Sequence, residues 1–293
     1  MARPKRLAIA ASAAYPDLRD DWPLLRNALK AEGVFARTEV WSDPSSPWHT
    51  YDLVLAEGAW DNIQRPDEFL AWADRVAADV TLANSPATLR WNIDKRYLSV
   101  LADAGVPIVP TTWVDPTDPQ APLPEGEFVV KPTISGGGYQ TARYGDNEHD
   151  AARAHLAALA AVGRTAMIQP YQSKVDELSE MGLIFLGSQY SHAISKGALL
   201  QSGAGVQSEL FRNERIGVAE PTDAYLGVAW AALRVAEDLF GPTTYARVDL
   251  IPRADSSPAV LELELLDPAL FMETAPDAAA RFAKVLSEQI RRG

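Results

Sequence analysis

The sequence predicts an α/β fold that begins with a small parallel sheet and continues into mixed, α+β parts. Strand-like and helical segments alternate over the first third of the 293-residue chain, and this order places parallel strands side by side with helices as crossovers. Further along, strand patterns follow one another closely, as in antiparallel pairs. A hydrophobic content of 47% at this length can fill several cores, and roughly one to three subdomains are expected.

Hydrophobic periodicity places the elements of the first third. Phe69, Trp72 and Val76 recur at helical spacing and mark the apolar face of one helix. The predicted strands are 6–12, 36–41, 51–58 and 80–86, and the predicted helices are 20–33, 65–79 and 87–104.

A proline-rich surface loop between Trp113 and Phe128 precedes the change of pattern. The pattern of residues 183–197 predicts a hairpin that turns near Gly187. The Gly/Ser-rich composition of residues 198–221 predicts a mobile loop. The other predicted strands are 127–133, 139–145, 165–171, 244–253 and 259–267, and the other predicted helices are 147–162, 223–240 and 276–292.

Charge and composition exclude several classes of function. With 27 basic and 39 acidic side chains the net charge is −12, so nucleic acids and anionic membranes are disfavoured as partners. The chain has no cysteine, which excludes disulfides, thiolate metal sites and cysteine nucleophiles. No apolar run approaches the ~20 residues that span a bilayer. The short apolar run near the N-terminus suits a first strand better than a signal peptide, so a cytoplasmic protein is expected.

The stretch "FVVKPTISGGGYQTARY" places a lysine at the end of a strand and three glycines just after it. Lys131 shares a strand face with Val129, and a lysine on a covered face usually meets an anion. Glycines allow backbone N–H groups to approach a ligand closely. Neither a P-loop motif nor G-x-G-x-x-G is present. A hairpin with a surface lysine and a cover for nucleotide phosphates therefore remain equal alternatives on this stretch alone.

An acidic cluster near the C-terminus is the stronger signal. Alternation puts Arg247 and Asp249 on one face of "ARVDL", and Glu262 and Glu264 on one face of "VLELEL", with Leu261, Leu263 and Leu265 on the other face. If the two strands pair, three carboxylates and an arginine converge. Carboxylates gathered in this way suit Mg²⁺, which takes oxygen ligands together with substrate phosphates. The alternative is a solvated strand face, which the lack of interleaved lysines disfavours.

Histidine and serine supply no catalytic motif. The sequence contains neither H-E-x-x-H nor G-x-S-x-G, and His192 in "SQYSHAIS" is interpreted as a strand residue with a hydrogen-bonding role. Trp60 follows a strand end and could line a pocket.

Together these motifs resemble the ATP-grasp superfamily of carboxylate–amine ligases over nearly the whole chain. The shared features are an N-terminal α/β domain, a central sheet that carries a lysine, and a C-terminal R-x-D followed by E-x-(N/E), here Arg247 to Asp249 and Glu262 to Glu264. The resemblance implies an ATP-grasp fold with an N-terminal domain at 1–86, a central ATP-binding subdomain at 87–171 and a C-terminal subdomain with the metal site at 172–293.

The resemblance also implies roles for individual residues. Lys196 and Arg247 would be the catalytic cations that contact the γ-phosphate or the acyl phosphate, and Asp249, Glu262 and Glu264 would hold one or two Mg²⁺ ions. The ATP-binding residues would be Lys95 and Lys131 at the phosphates, Gly136, Gly137 and Gly138 in a flexible loop, Gln169 and Tyr171 beside adenine, and Asp176 near the ribose.

The chain departs from the common family pattern in two places. Glu264 stands where many members have Asn, and the extra residue before Pro268 leaves open whether Asp267 joins the metal site. Gln169-Pro170 replaces the commoner Gln-Glu or Glu-Glu pair. Within the superfamily, "RWNIDKRYL", "SHAISKGALL" and "LELELLDPALF" look most like a subgroup that includes a cyclo-ligase closing O-ureido-D-serine to D-cycloserine, an antibiotic.

The resemblance implies ATP-dependent activation of a small amino-acid carboxylate and its closure by an internal nitrogen. Two alternatives are a ligase that joins an acid to a separate amine and a nucleotide-binding protein without ligase activity. The acceptor pocket is expected among the loop 11–22, Trp60 and the segment 198–221 with Arg212 and Arg215. The sequence leaves the oligomeric state open.

Overall fold

The computed structural model describes residues 3–15, 21–198, 200–201, 203–208 and 215–292. Its N-terminal part is a parallel sheet with the strand order β2-β1-β3-β4. Residues 7–11 of the central strand β1 are buried because helices cover both faces of the sheet. The elements are β1 (Lys5–Ala11), α1 (Asp21–Ala31), β2 (Val34–Val40), β3 (Leu53–Leu55), α2 (Pro66–Ala77) and β4 (Leu82–Ala83). The predicted parallel sheet is confirmed.

The predicted single helix over 87–104 is wrong, because the chain forms α3 (Pro86–Asn92) and α4 (Tyr97–Asp103) with a break between them. Two polar contacts replace helical hydrogen bonds at the break. The backbone N–H of Lys95 donates to Thr133 O at 2.9 Å, and the Asp94 side chain accepts from the N–H of Arg96 at 3.0 Å. The break directs Lys95 towards the central sheet.

The central part is an antiparallel sheet with the order β5-β8-β6-β7, covered by helix α5. Phe128 and Val130 of β6 lie in the core beneath α5, whereas Val129 and Lys131 face a cavity on the other side, as alternation predicts. The elements are β5 (Thr112–Val114), β6 (Phe128–Pro132), β7 (Ala142–Tyr144), α5 (His149–Ala161) and β8 (Ala166–Pro170).

The C-terminal part is a five-stranded antiparallel sheet with the order β11-β10-β9-β12-β13, and α7 packs on one face. The hairpin predicted at 183–197 is confirmed as β9 and β10. The turn requires a glycine, because Gly187 has φ +60 and a Cβ there would lie 2.8 Å from Val285. The elements are α6 (Val175–Leu178), β9 (Glu180–Leu186), β10 (Tyr190–Lys196), β11 (Ile216–Ala219), α7 (Asp223–Phe240), β12 (Tyr245–Pro252), β13 (Pro258–Glu264) and α8 (Ala278–Arg292).

Two predictions in this part are wrong in detail. The end of the segment predicted as a mobile loop forms strand β11, which pairs with β10. The strict alternation predicted for β13 also fails, because the register with β12 shifts between Asp249, opposite Glu262, and Leu250, opposite Val260. Leu261 is therefore the extra residue of a β-bulge, and it lines the cavity with Glu262 instead of joining Leu263 and Leu265 in the core.

The last helix links the two ends of the chain. Helix α8 packs on α1, and its buried residues share one apolar cluster with strands of both the N-terminal and the C-terminal sheets. None of the helices that the structure describes is long and apolar enough to span a membrane.

Candidate active site

A cavity of about 430 Å³ lies between the central and C-terminal sheets and opens towards the N-terminal domain. It brings together almost all of the side chains that the sequence singles out. The predicted residues that line it are Lys95, Lys131, Gly136, Gly137, Gly138, Gln169, Tyr171, Lys196, Arg247, Asp249, Glu262 and Glu264. Asp176 does not line it, because this residue lies exposed at the rim.

Two buried lysines from separate segments meet at one carboxylate. Lys131 Nζ donates to Glu262 Oε1 at 3.0 Å, and Lys95 Nζ lies 3.8 Å from the same oxygen. Lys95 also donates to the backbone oxygen of Ser135, at the start of the glycine loop. Two ammonium groups that share one carboxylate leave a positive surplus, which suits a phosphate.

A second ion-pair network surrounds Asp249. Arg247 Nε and Nη2 each donate to the Asp249 carboxylate at 2.9 Å, and Lys196 Nζ donates to its Oδ2 at 3.0 Å. Arg247 Nη2 also lies 2.7 Å from Glu264 Oε1, and Lys196 is paired with Glu180. Glycine at position 182, on β9 opposite Asp249, leaves the space that this carboxylate fills, because a Cβ there would lie 2.8 Å from Asp249 Oδ1.

Asp249, Glu262 and Glu264 present oxygen atoms that all lie within 4.8 Å of one another. Three carboxylates at this spacing fit a hard divalent cation such as Mg²⁺. Among the residues that the structure describes, Asp267 does not belong to this group.

Burial and neighbouring charges separate the carboxylates into two kinds. Burial opposes ionisation of Asp249, but Arg247 and Lys196 outweigh it and lower its pKa to about 2. Burial likewise opposes ionisation of Glu262, and Lys95 with Lys131 lower its pKa to about 2. Burial raises the pKa of Glu264 to about 7, and the negative charges of Asp249 and Glu262 act in the same direction. The raised pKa favours the protonated form of Glu264 near neutral pH, and a cation bound beside it would favour the ionised form.

At the far end of the cavity, Tyr171 follows strand β8 and is held on both sides. The guanidinium of Arg143 lies 3.5 Å from the centroid of the Tyr171 ring, and the Tyr171 hydroxyl donates to Asp176 Oδ1 at 2.6 Å. Asp176 thus orients a residue of the cavity without lining it. The Gln169 side chain donates to Thr111 Oγ1 at 2.9 Å, which leaves an apolar wall that includes Val109, Ile251 and Leu261.

The glycine loop is attached to a second loop. Gly137 and Gly138 adopt φ +58 and +76, which glycine reaches without strain. Just after them, the N–H of Gln140 donates to Gln207 O at 2.8 Å, and the N–H of Gln207 donates to Thr141 O at 3.1 Å. Two backbone hydrogen bonds therefore join the second loop to the chain directly after the glycines that line the cavity.

The end of the cavity nearest the N-terminal domain contains Trp60, Asn62 and Asp267. Trp60 was an acceptor-pocket candidate, and the ring of Tyr15, from the candidate loop 11–22, lies 5.8 Å from it. Burial raises the pKa of Asp267 well above its ordinary value, and the charge of Glu264 adds to this effect. Arg215 is exposed and does not line the cavity, and Arg212 lies outside the described residues.

Several residues of the site were not singled out from the sequence. Glu180 begins β9 and pairs with Lys196. Asn92, at the end of α3, donates to Leu263 O at 2.7 Å and accepts from the N–H of Leu265 at 2.7 Å, which anchors the strand carrying Glu262 and Glu264. An asparagine in the interior of the predicted helix 87–104 was the only available signal, because asparagine disfavours such positions, and it does not reveal a partner 171 residues away.

Comparisons with known proteins agree with this architecture. A family model described as the N-terminal domain of D-cycloserine synthetase DcsG matches residues 7–84. The cycloserine biosynthesis protein DcsG of Streptomyces lavendulae is 36% identical over 299 residues, which cover 97% of this chain and 99% of that protein. The crystal structure of D-cycloserine synthetase DcsG is similar with a TM-score of 0.86 at 35% identity, over 97% of this chain and 99% of that one.

More distant structures share the fold alone. The ATP-grasp ligase PsnB, complexed with minimal precursor, Mg and ADP, has a TM-score of 0.65 at 18% identity over 99% of each chain. The D-alanine–D-alanine ligase from Bacillus anthracis, complexed with ATP, has a TM-score of 0.63 at 14% identity over 98% of each chain. Because the match to DcsG extends over nearly the full length of both chains, this protein belongs to the D-cycloserine synthetase DcsG family of ATP-grasp ligases.

Proposed function

We propose that this chain is an ATP- and Mg²⁺-dependent cyclo-ligase that converts O-ureido-D-serine to D-cycloserine. The observation that carries the proposal is the convergence of Lys95, Lys131, Lys196 and Arg247 with three carboxylates on one cavity. Four cationic groups around a cation-binding trio suit a nucleoside triphosphate with its metal ion. The similarity to DcsG over the whole chain supports the substrate.

The phosphates of ATP would lie between the lysine pair and the acidic trio. Lys131 and Lys95 come from the central part of the chain, and Lys196 and Arg247 from the C-terminal sheet, so their charges approach from two sides. Such fixed charges stabilise phosphoryl transfer because they need no reorganisation during the reaction. Asp249, Glu262 and Glu264 would hold Mg²⁺, which when bound neutralises phosphate charge. The glycine loop, which lines the cavity at Gly136, Gly137 and Gly138, would exclude water from the transferring group.

The chemistry proceeds by carboxylate activation. A carboxylate oxygen of the substrate attacks the γ-phosphorus, which forms an acyl phosphate and releases ADP. The ureido nitrogen bonded to oxygen then attacks the acyl carbon, phosphate leaves, and a five-membered ring closes. Water removes the carbamoyl group from the ring nitrogen, which yields carbon dioxide and ammonia. Ring closure within one bound molecule gains from proximity, with effective molarities of about 10⁵ M or more at good geometry.

Formation of ADP in a screen of small amino-acid derivatives, with mass analysis of the products, tests the proposal. We expect ADP formation that depends on O-ureido-D-serine and gives D-cycloserine without a second amine. A product that joins two substrate molecules, or turnover only with an added amine, would instead indicate the intermolecular ligase. If ATP binds and no amino-acid derivative stimulates its turnover, the chain is a nucleotide-binding protein without ligase activity.

A further inference from the structure

Asp267 is a buried carboxylate with an unused oxygen atom in the candidate active site. It follows strand β13 with a backbone φ of +59, is only 9% exposed, and lines the cavity at the end nearest the N-terminal domain. Its Oδ2 accepts from Asn62 Nδ2 at 3.3 Å, and its Oδ1 is buried without a hydrogen-bond partner. A buried acceptor of this kind is costly unless a ligand supplies the donor.

Arg247, which Ala269 holds near Asp267, is already engaged by other groups. Arg247 directs its guanidinium to Asp249, to Glu264 and, through Nη1 at 2.9 Å, to Ala269 O. The metal-binding group does not include Asp267. The described groups that favour the ionised form of Asp267 are the backbone N–H of Gly58 and the amide of Asn62, and both are neutral. A cationic donor for Asp267 would therefore enter the cavity with a ligand.

We propose that Asp267 binds the α-ammonium group of the amino-acid substrate. This inference rests on the proposed function. An α-amino acid carries its ammonium group on the carbon next to the carboxylate, so the two groups need neighbouring subsites. Asp267 lies close enough to the proposed phosphate site for this. The backbone oxygen of Ala269, two residues after Asp267, accepts a hydrogen bond from Arg247, which we place at the phosphates. An ammonium ion bound to Asp267 would set the substrate carboxylate towards Arg247 and the transferring phosphate.

The Asp267→Asn variant tests the proposal, because it keeps the shape and removes the negative charge that Asp267 would carry beside a bound ammonium ion. We expect the KM for O-ureido-D-serine to rise about 10-fold or more, as for the loss of a charge-assisted hydrogen bond, while the affinity for ADP measured by calorimetry stays unchanged. Asp61→Asn is the matched control. Asp61 lies near Asp267, but it does not line the cavity. Its carboxylate accepts from Trp41 Nε1 at 2.7 Å and pairs with Arg65. The KM of the Asp61→Asn variant for O-ureido-D-serine should therefore equal that of the wild type.

A substrate analogue with hydrogen in place of the ammonium group gives an independent readout. The wild type should bind this analogue much more weakly than the substrate, and Asp267→Asn should bind the two with similar affinity. If Asp267→Asn does not fold, Asp267→Glu retains the charge and displaces it by one methylene, and it should raise the same KM.

The outcomes separate the two proposals. An unchanged KM in either folded variant, with an active wild type, overturns the role of Asp267 and leaves the proposed function in place. Undiminished discrimination against the analogue in Asp267→Asn does the same. If the wild type forms no ADP with any amino-acid derivative, the proposed function fails, and this inference fails with it.

Discussion

The negative charge of Glu262 serves two groups at once, the buried lysine pair and the proposed metal site. Its carboxylate neutralises Lys131 and Lys95, and it belongs to the acidic trio at the proposed metal site. Replacing one partner of a buried charge network leaves the others uncompensated, so a neutral side chain at this position should lower both the stability of the protein and its catalytic rate.

We expect Glu262→Gln to lower kcat about 100-fold or more, because it removes a proposed metal ligand and its negative charge while the side-chain volume is nearly unchanged. The ligand-free variant should also melt at a lower temperature, and ATP should restore part of this loss by neutralising the lysine pair. Steady-state kinetics and thermal melts check both effects. The control is Glu177→Gln, because Glu177 forms an exposed ion pair with Lys174 at the surface. Wild-type rates in Glu262→Gln would remove Glu262 from the metal site.

The carboxyl group of Glu264 makes stability depend on pH. The native state retains its proton between the ordinary pKa of 4.5 and about 7, a range in which the unfolded chain has lost it. Because the native state binds more protons there, the free energy of unfolding of the ligand-free protein should fall as the pH rises through this window. In Glu264→Gln this fall should be smaller, by up to about 3 kcal/mol. Urea denaturation at about pH 5 and about pH 7.5 measures the difference, and parallel losses in both proteins would contradict it.

At the scale of elements, strand β9 leaves room for Asp249, a carboxylate of the proposed metal site, because Gly182 has no side chain. Gly182→Ala would place a Cβ 2.8 Å from Asp249 Oδ1, and that carboxylate is held by Arg247 and Lys196, so it cannot move without breaking ion pairs. We expect turnover to fall about 10-fold or more, because the Asp249 carboxylate is displaced. The Mg²⁺ concentration that gives half of the maximal rate should rise. Gly217→Ala in β11 is the matched control. Its Cβ would meet only Ser195 Oγ at 2.8 Å, and this hydroxyl can rotate to another staggered position. Equal activities of the two variants would show that Asp249 adapts.

At the scale of the whole molecule, helix α8 joins the two ends of the chain. Leu286 is fully buried in the cluster that also contains Leu25 of α1 and Ile184 of β9. Leu286→Ala should therefore cost about 2–5 kcal/mol and lower the stability of the N-terminal and C-terminal parts together. Denaturation can be followed by tryptophan fluorescence and by circular dichroism. Most tryptophans lie in the first 113 residues, whereas circular dichroism reports on the whole chain. Both signals should show the same transition, shifted to lower stability. Lys284→Ala, at an exposed position of the same helix, should leave both unchanged, and two separate transitions in Leu286→Ala would indicate independent domains.

The extent to which the sequence predicted these features depends on the range of the interactions involved. Alternation in "ARVDL" and "VLELEL" was enough to gather Asp249, Glu262 and Glu264, because the side-chain direction in a strand is a local property. The hairpin at Gly187 and the helix at 223–240 followed from local periodicity for the same reason. The proposed domain boundaries and the roles of the site residues remain predictions.

Contacts between distant segments were not predictable from local patterns. The helix break that positions Lys95 depends on Thr133 O, and the bulge at Leu261 depends on the register with β12. Glu180, Asn92 and the unpaired oxygen of Asp267 acquire their meaning only from partners or empty space supplied by other parts of the chain.

Local order along the chain thus established the fold class, the acidic trio and the lysine-bearing strand, since periodicity and residue type suffice for each of them. The three-dimensional packing established which charges share a partner, which glycine makes room for Asp249, and which carboxylate is left open towards the N-terminal domain. Those properties arise from burial and from contacts between residues far apart in sequence, and no local pattern encodes either.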